Sequence, residues 1–427
     1  MRAERDIPQL VDHLFRHQAG QMISSLTRLF GVENLELVED IVQETLLKAL
    51  QQWPYRGVPQ NPGGWLWQVA KNQALDVLRR EARSRRIMTG EYGGPEPQQI
   101  PDIAEWEPFG DPLGDDRLSM MFLGCHPCLS REAQVTLLLK TVGGFHVSEI
   151  ARAFLQPEAT IAQRLVRAKK RLKAESARFE LPPPAELVHR LDAVLQVLYL
   201  IFNEGYESHL GASLVRKDLC DEAIYMCRSI LAHPVGRRPK VYALLALMLL
   251  HAARLDARTG ANGDLLLLAE QDRALWDPGL IREGIYYLGL SAQGDVLSEY
   301  HLQAGIAARH ALAKDYQSTD WAGILDDYRA LLELSPTPVV MLNHAVAVAM
   351  LHGPQAGLQE LSRLKDHPTL QNYHLLPATF GELYERNGEF ELAAQSYCEA
   401  LKLAVNQVER RFLERKLDKA RSQVSAP

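Results

Sequence analysis

An all-α fold is what the sequence predicts, on three observations. Apolar residues recur at helical spacing almost throughout, alternating strand patterns are scarce, and the breaks between periodic blocks are rich in Gly, Pro or acid. A chain of 427 residues, 47% of them hydrophobic, can bury a sizeable core and is expected to form roughly two to four domains. The longest apolar run, "VYALLALMLL" at 241–250, is too short to span a bilayer, and "MRAERDIPQL" at the start carries no apolar signal core. A cytoplasmic protein without membrane attachment is therefore expected. Five thinly spread cysteines give no disulfide framework and agree with a reducing compartment.

Four segments follow in order. Residues 1–86 form a first helical block that ends in the basic "LDVLRREARSRR". Residues 87–118 form a Gly/Pro-rich acidic linker, and residues 119–180 a compact helical block. After the break "LPPPAE" comes one long helical region, 186–427. Charge is distributed unevenly between them: residues 87–130 hold one basic and eight acidic side chains, residues 131–173 nine basic and three acidic. A polyanion partner for that basic block alone is the reading this asymmetry favours.

The basic block ends in "ATIAQRLVRAKKRLK", with six Arg and Lys side chains between Arg164 and Lys173. At 100° per residue Ile161, Leu165, Ala168 and Leu172 form one apolar stripe, while Gln163, Val166, Arg167 and Lys170 lie opposite. Just upstream, "HVSEIARAFLQPEAT" reads as a shorter helix with Val147, Ile150, Ala151 and Phe154 inward, followed by a tight turn with Pro157 at the first helical position of the next helix. Two short helices so joined make a helix-turn-helix, whose second helix can enter the DNA major groove. Taken alone, such a charge run is equally well explained as the solvated face of a helical hairpin.

The first block supplies context. "ELVEDIVQETLLKALQQW" followed by "NPGGWLWQVAKNQALDVLRR" resembles region 2 of bacterial RNA polymerase sigma factors of the extracytoplasmic-function (ECF) class. "LSREAQVTLLLKTVGGFHVSEIARAFLQPEATIAQRLVRAKKRL" resembles their region 4. The remainder, with "YLIFNEGY", "LLALMLLHAARLDAR", "EQDRALW" and "TDWAGILDDYRALLELSP", looks like the C-terminal domain of the ECF group with a TPR-like extension.

That resemblance implies a division of roles. The helix matching "VEDIVQETLLKAL" docks on the clamp helices of the polymerase β′ subunit, which makes Asp40, Gln43 and Glu44 candidate core-binding residues. Val38, Ile41, Val42 and Thr45 to Leu47 can then face the domain core, with the acids outside. "WLWQVAKNQALDVLRR" matches the minus-10 segment, where a non-template base is held unstacked; Lys71, Asn72, Arg79 and Arg80 suit base and phosphate contact. Trp65 and Trp67, at helical spacing with Val69 and Leu75, read as core rather than as melting wedges. For the minus-35 element Gln163 can pair with adenine, Arg167 with guanine and Val166 with a thymine methyl, while Arg164 and Lys170 position phosphates. Ala162 departs from the Lys or Arg that many members carry there. Core RNA polymerase, through its β′ clamp helices and β flap, and promoter DNA are the implied partners.

Elsewhere the chain gives weaker signals. "CHPC", Cys125 to Cys128, lacks a second pair at metal-ligand spacing and reads as structural. In the last segment Gly381, Tyr384, Ala393, Tyr397 and Ala400 have the spacing of a TPR helix pair, and "ILDDYRALLELSP" matches the second helix of another, stopped by Pro336. Such a solenoid is expected to bind a protein or peptide ligand, to pack against the sigma regions and to regulate them in cis. Asn203, Glu204, Arg254, Asp256, Arg258, Gln271, Asp272, Arg273, His310 and Asp320 could line a pocket there, although "ARLDAR" and "EQDRALW" read more simply as buried ion pairs and helix caps. No nucleophile–base arrangement or phosphate loop accompanies them, so no catalytic residue, metal or cofactor is expected. Two competing classes are a helix-turn-helix regulator with a TPR sensor that is not a sigma factor, and a TPR scaffold or enzyme whose basic helix is incidental. Region 2 opposes the first, and the lack of a catalytic constellation opposes the second.

Overall fold

The computed structural model describes residues 18–89, 116–175, 183–207, 215–260 and 262–424. Among them every regular element is helical, and the one β feature is an isolated bridge between Thr259 and Leu265. The chain divides into two compact units, Met1–Val197 and Leu198–Pro427. Most of the expected acidic linker, 90–115, lies outside the described residues.

The first unit begins with α1 (18–30), α2 (Leu35–Arg56) and α3 (Pro62–Thr89). Leu26, Val38, Ile41, Val42, Leu46, Trp53, Leu66 and Ala70 are buried between them. Trp65 meets the buried Trp53 edge to face at 5.5 Å, so Trp65 serves packing, as its spacing suggested. Glycine closes α2: Gly57, at φ 80, returns its N–H to the Trp53 carbonyl at 3.0 Å.

Four further helices follow: α4 (Asp116–Gly124), α5 (Arg131–Thr141), α6 (Val147–Ala153) and α7 (Glu158–Ala174). Ser130 caps α5 by accepting from the Ala133 N–H, and the Glu149 carboxylate accepts the His146 N–H at the start of α6. Leu155 makes the turn between α6 and α7 at φ 50, a left-handed conformation rare for a side chain of its size, and Gln156 closes it by donating to the Ala151 carbonyl at 2.8 Å. Pro157 sits one position earlier than its sequence context suggests, as the N-cap of α7 and not its first residue. Ile161, Leu165, Ala168 and Leu172 are buried, as the stripe predicts.

Three contacts join these two halves of the first unit. Buried Asp116 accepts from the Ser25 hydroxyl and lies 3.3 Å from Arg28 Nε. Glu39 of α2 pairs with Lys169 of α7, both largely shielded from solvent. The third is backbone to backbone, because a methyl group on Gly20 would overlap the Val142 carbonyl oxygen. Glu39 is thus an exception to the outward acidic face expected for α2: the other half of the unit covers it. Leu47 is an exception in the opposite sense, 56% exposed where the core was expected.

The helix α8 (Pro184–Tyr206) crosses the boundary between units without interruption. Its first half belongs to the first unit: Arg190 donates to the Phe122 carbonyl at 3.0 Å, and Arg131 donates to Gln196 Oε1 at 2.9 Å.

The second unit continues with α9 (Lys217–Ala232), α10 (Pro239–Ala252), α11 (Pro278–Ser291), α12 (Glu299–Leu312), α13 (Trp321–Leu334), α14 (Pro338–His352), α15 (Pro354–Ser362), α16 (Leu375–Arg386), α17 (Phe390–Leu403) and α18 (Gln407–Val424). Neighbours in sequence pack on one another. Proline opens α10, α11, α14 and α15, where its missing N–H costs nothing. The run 241–250 is buried on nearly every side, with only Tyr242 half-buried, which is why it lacks a polar face. In the α16–α17 pair a Cβ on Gly381 would lie 2.6 Å from the Tyr397 ring, and the Tyr397 hydroxyl donates to Glu385 at 2.9 Å. Ala393 and Ala400 are buried in the same seam.

Gly20→Ala should lower the unfolding free energy of the first unit by about 1–3 kcal/mol through overpacking against the Val142 carbonyl. Urea unfolding measures this, and a variant as stable as the parent would mean that α1 does not approach Val142 so closely.

Candidate nucleic-acid and polymerase interface

The second helix of the helix-turn-helix, α7, presents Gln163, Val166, Arg167 and Lys170 to solvent, Val166 being 64% exposed. An exposed valine among polar side chains leaves an apolar contact available on a face otherwise suited to hydrogen bonding. Arg164 differs. Its guanidinium is half-buried, donating to Gln156 Oε1 at 2.7 Å and to Thr136 Oγ1 at 3.3 Å, with the Phe154 ring 5.6 Å away. It clasps the turn and α5 together with two of its five N–H donors and still lines the groove beside α7.

The first turn of α5 and the side of α7 enclose a small polar groove of about 330 Å³, lined by Ser130, Ala133, Gln163, Arg167 and Arg171 among others. A helix N-terminus and three guanidinium groups, those of Arg164, Arg167 and Arg171, lining one groove suit a phosphate. Ser130 and Arg171 were not singled out from sequence. The cue was present in the "SRE" cap and in Arg171 four residues after Arg167.

On α3, Asn72, Arg79 and Arg80 are exposed and Lys71 is half-buried. At 100° per residue Asn72 and Arg79 share a face with Arg80 beside them, whereas Lys71 points half a turn away from Arg80. Lys71 and Arg80 thus flank the Asn72–Arg79 line on opposite sides at similar angles, and of the four expected minus-10 residues Lys71 alone is half-buried. Asn72 Oδ1 accepts from Gln68 at 3.2 Å, leaving its amide N–H groups outward, and exposed Asp76 lies on the same face.

On α2, Asp40, Gln43 and Glu44 are exposed in one stripe that continues to Leu47. Sequence reading missed this leucine as a surface residue. A large apolar side chain inside an acidic stripe suits a protein partner better than plain solvent. Glu44 also pairs with Lys48 at 3.4 Å, an exposed contact of little energetic weight.

The "CHPC" segment is the loop between α4 and α5. Burial pushes the Cys125 thiol up to about 12, against opposing effects of Arg131 and Arg190, and burial also raises Cys128. Next to the Glu39–Lys169 pair, burial lowers the pKa of Lys140, with Glu39 opposing that shift and Lys169 adding to it.

In the second unit "ARLDAR" makes one ion pair among the described residues, Asp256 with Lys217 at 3.5 Å, and it is exposed where buried pairs were expected. Arg258 donates to the Tyr206 carbonyl and stacks 3.8 Å over its ring, and Arg254 lies 5.4 Å from the same ring. The capping roles do appear: Asp272 accepts from the Ala274 N–H at 2.9 Å, and Arg273 donates to the His310 and Ala313 carbonyls at the end of α12. Asp320 caps α13 and pairs with Arg309. No helix of the described residues is long and apolar enough to cross a membrane.

Comparison with known proteins agrees with this geometry. Residues 14–84 match sigma-70 region 2, and residues 190–292 match a family of unknown function (DUF6596). An uncharacterised protein of Rhizobium meliloti (strain 1021) is 37% identical over 398 residues, covering 93% of this chain and 93% of that protein. The ECF RNA polymerase sigma factor SigL of Mycobacterium tuberculosis is 33% identical over 159 residues, 36% of this chain and 82% of that protein. A region 2 match carrying the exposed acidic stripe of α2, together with a sigma factor aligned over most of its own length, settles the family: the chain belongs to the ECF sigma factors of RNA polymerase.

Proposed function

We propose that this chain binds core RNA polymerase through the α2 stripe, reads a minus-10 element with α3 and a minus-35 element with α7, and is regulated in cis by its TPR-like second unit. The observation that carries this reading is the one-sidedness of α7: its apolar stripe is buried, its Gln163, Val166, Arg167 and Lys170 face is open, and the intervening Lys169 is tied to Glu39 on the helix that would dock the polymerase.

That tie has a geometric consequence. Promoter elements centred near −35 and −10 lie about 25 base pairs apart, about 85 Å at 3.4 Å per pair. A compact unit the length of Met1–Val197 has a radius of gyration of about 16 Å. Its two readers cannot reach both elements while packed together, so the packed unit is a stored form that must open on polymerase. The second unit acts on region 4 through α8, whose first half holds α4 and α5 by Arg190 and Arg131. The spacing of Tyr328 and Tyr397, 69 residues or two periods of about 34, supports the TPR-like reading, as does the Gly381–Tyr397 seam.

Three experiments test this. Arg167→Ala should relax preference at one minus-35 position at a cost of about 1–3 kcal/mol, whereas Lys170→Ala should weaken all sequences alike and lower the salt slope; equal losses on every sequence for both variants would contradict the division of roles. Glu39→Gln, which leaves Lys169 without its counter-charge, should weaken the packed form by about 1–3 kcal/mol and speed association with core polymerase in stopped-flow measurements. Unchanged or slower association would remove the latch from the account. Finally, truncation after residue 180 should abolish run-off transcription by removing α8, and truncation after residue 207 should show whether α8 alone restores it. Full activity of the shorter chain would overturn regulation in cis.

A further inference from the structure

Inside the second unit lies a cavity of about 370 Å³, walled on one side by the segment Leu265–Leu268 and on the other by α16 and α18. Its volume falls in the ~300–1,000 Å³ range of clefts that hold small molecules, and its lining is mainly apolar, with Leu266, Thr379 and Phe412 among the walls. The segment 262–271 is held in place over it. Leu266 donates to the Arg258 carbonyl at 3.0 Å, and Asp264 pairs with Arg415 and Arg411 of α18 at 2.5 and 3.5 Å.

The cavity wall carries three carboxylates, Glu207, Glu382 and Glu409, and three guanidinium groups, Arg254, Arg258 and Arg386, which do not pair with one another at short range. Of its carboxylates, Glu382 is paired with Lys416 at 2.7 Å, and Glu409 lies 3.3 Å from His374 Nε2. Of its guanidinium groups, Arg254, Arg258 and Arg386 have no carboxylate at ion-pairing distance among the described residues; Arg258 rests on the Tyr206 carbonyl and ring, and Arg386 on Met350 Sδ. Glu207, which also lines the cavity, acts on Arg254 at longer range. Arg386 is exposed, but Arg258 is buried and Arg254 half-buried, and a cation so shielded normally keeps a counter-charge, because desolvation without one is costly. A second observation points the same way. Gln271, 9% exposed, lines the cavity with its Nε2 donating to the Leu266 carbonyl, while its Oε1 has no partner among the described residues. A shielded acceptor without a donor is costly, and a small turn of the Gln271 amide at the cavity wall would give it one from a bound molecule.

We propose that this cavity binds a small amphipathic carboxylic acid, its carboxylate toward Arg254 and Arg258, its apolar body along the leucine segment, and a hydroxyl donating to Gln271 Oε1. The site would make the second unit a sensor of a free organic acid. It goes beyond the promoter-reading role of the first unit, and binding to it is independent of that role.

Isothermal titration calorimetry of the full chain with 3-hydroxydecanoate, decanoate and decane-1,3-diol tests the assignment. The hydroxy acid should bind one to one, and at least about tenfold more tightly than the diol, since a charge-assisted contact is lost in the diol. Decanoate should fall between them. Thr379→Trp, which fills the cavity, should abolish binding, and Arg254→Met should reduce the acid's affinity to that of the diol with the melting temperature of the unliganded protein retained. Absence of saturable binding by either acid, equal affinity for acid and diol, or full-strength binding by a folded Thr379→Trp protein would overturn the proposal; if that variant does not fold, the Arg254→Met comparison decides. Run-off transcription with and without the hydroxy acid separates the two readings: binding without any change in transcription leaves the site standing and removes its regulatory role.

Discussion

The ion pair between Glu39 and Lys169 is the contact on which the first unit depends. It links residues 130 positions apart, one on α2 with its exposed acidic stripe and the other on α7 with its exposed Gln163, Val166, Arg167 and Lys170 face. Both side chains are largely shielded, 8% and 19% exposed, so neither charge would be stable there without the other. Asp116 does similar work beside it, accepting from Ser25 and facing Arg28 across the same seam. A buried pair of this kind contributes modestly to net stability, yet it fixes which surfaces meet. Here it leaves the two outward faces open and their separation short.

From that constraint follows the logic of the rest. On the proposed assignment of α3 and α7 to the two promoter elements, the packed unit would have to open on DNA, and the energy of the seam would set how readily the protein engages polymerase. Core polymerase can shift such an equilibrium only by binding the open form more tightly than the packed one. The helix α8 adds a second handle, because it holds α4 and α5 by hydrogen bonds and then continues as the first helix of the second unit. A ligand in the second unit that altered α8 would act on region 4 by the same arithmetic.

Much of this was legible in the sequence where burial is one-sided. The stripe Ile161, Leu165, Ala168 and Leu172 gave α7 its orientation, and with it the outward Gln163, Val166, Arg167 and Lys170, because a helix packed on one face writes a 3.6-residue period into its residues. The same reasoning failed where a distant segment decides. Glu39 reads as a solvated acid on α2, and nothing near it in sequence announces Lys169. Leu47 reads as core, although the first unit leaves it bare. Arg164 has a packing role that its sequence position did not announce, holding Gln156 and Thr136 beside the Phe154 ring. The cavity of the second unit was half visible, through Arg254, Arg258 and Gln271; its other wall comes from α16 and α18, more than a hundred residues later. Long-range assembly of this sort leaves no local period to read.

The central claim, that the two DNA readers are stored together and separate on polymerase, is open to one direct distance measurement. Fluorophores placed at exposed Asp76 on α3 and exposed Lys173 on α7 report the separation of the readers by resonance energy transfer. The free protein should give a distance within roughly 40 Å, the width of a compact unit of this size. Addition of core polymerase should lengthen it toward about 85 Å, the span of the promoter elements. A distance that stays short on polymerase while the complex initiates transcription would contradict the account.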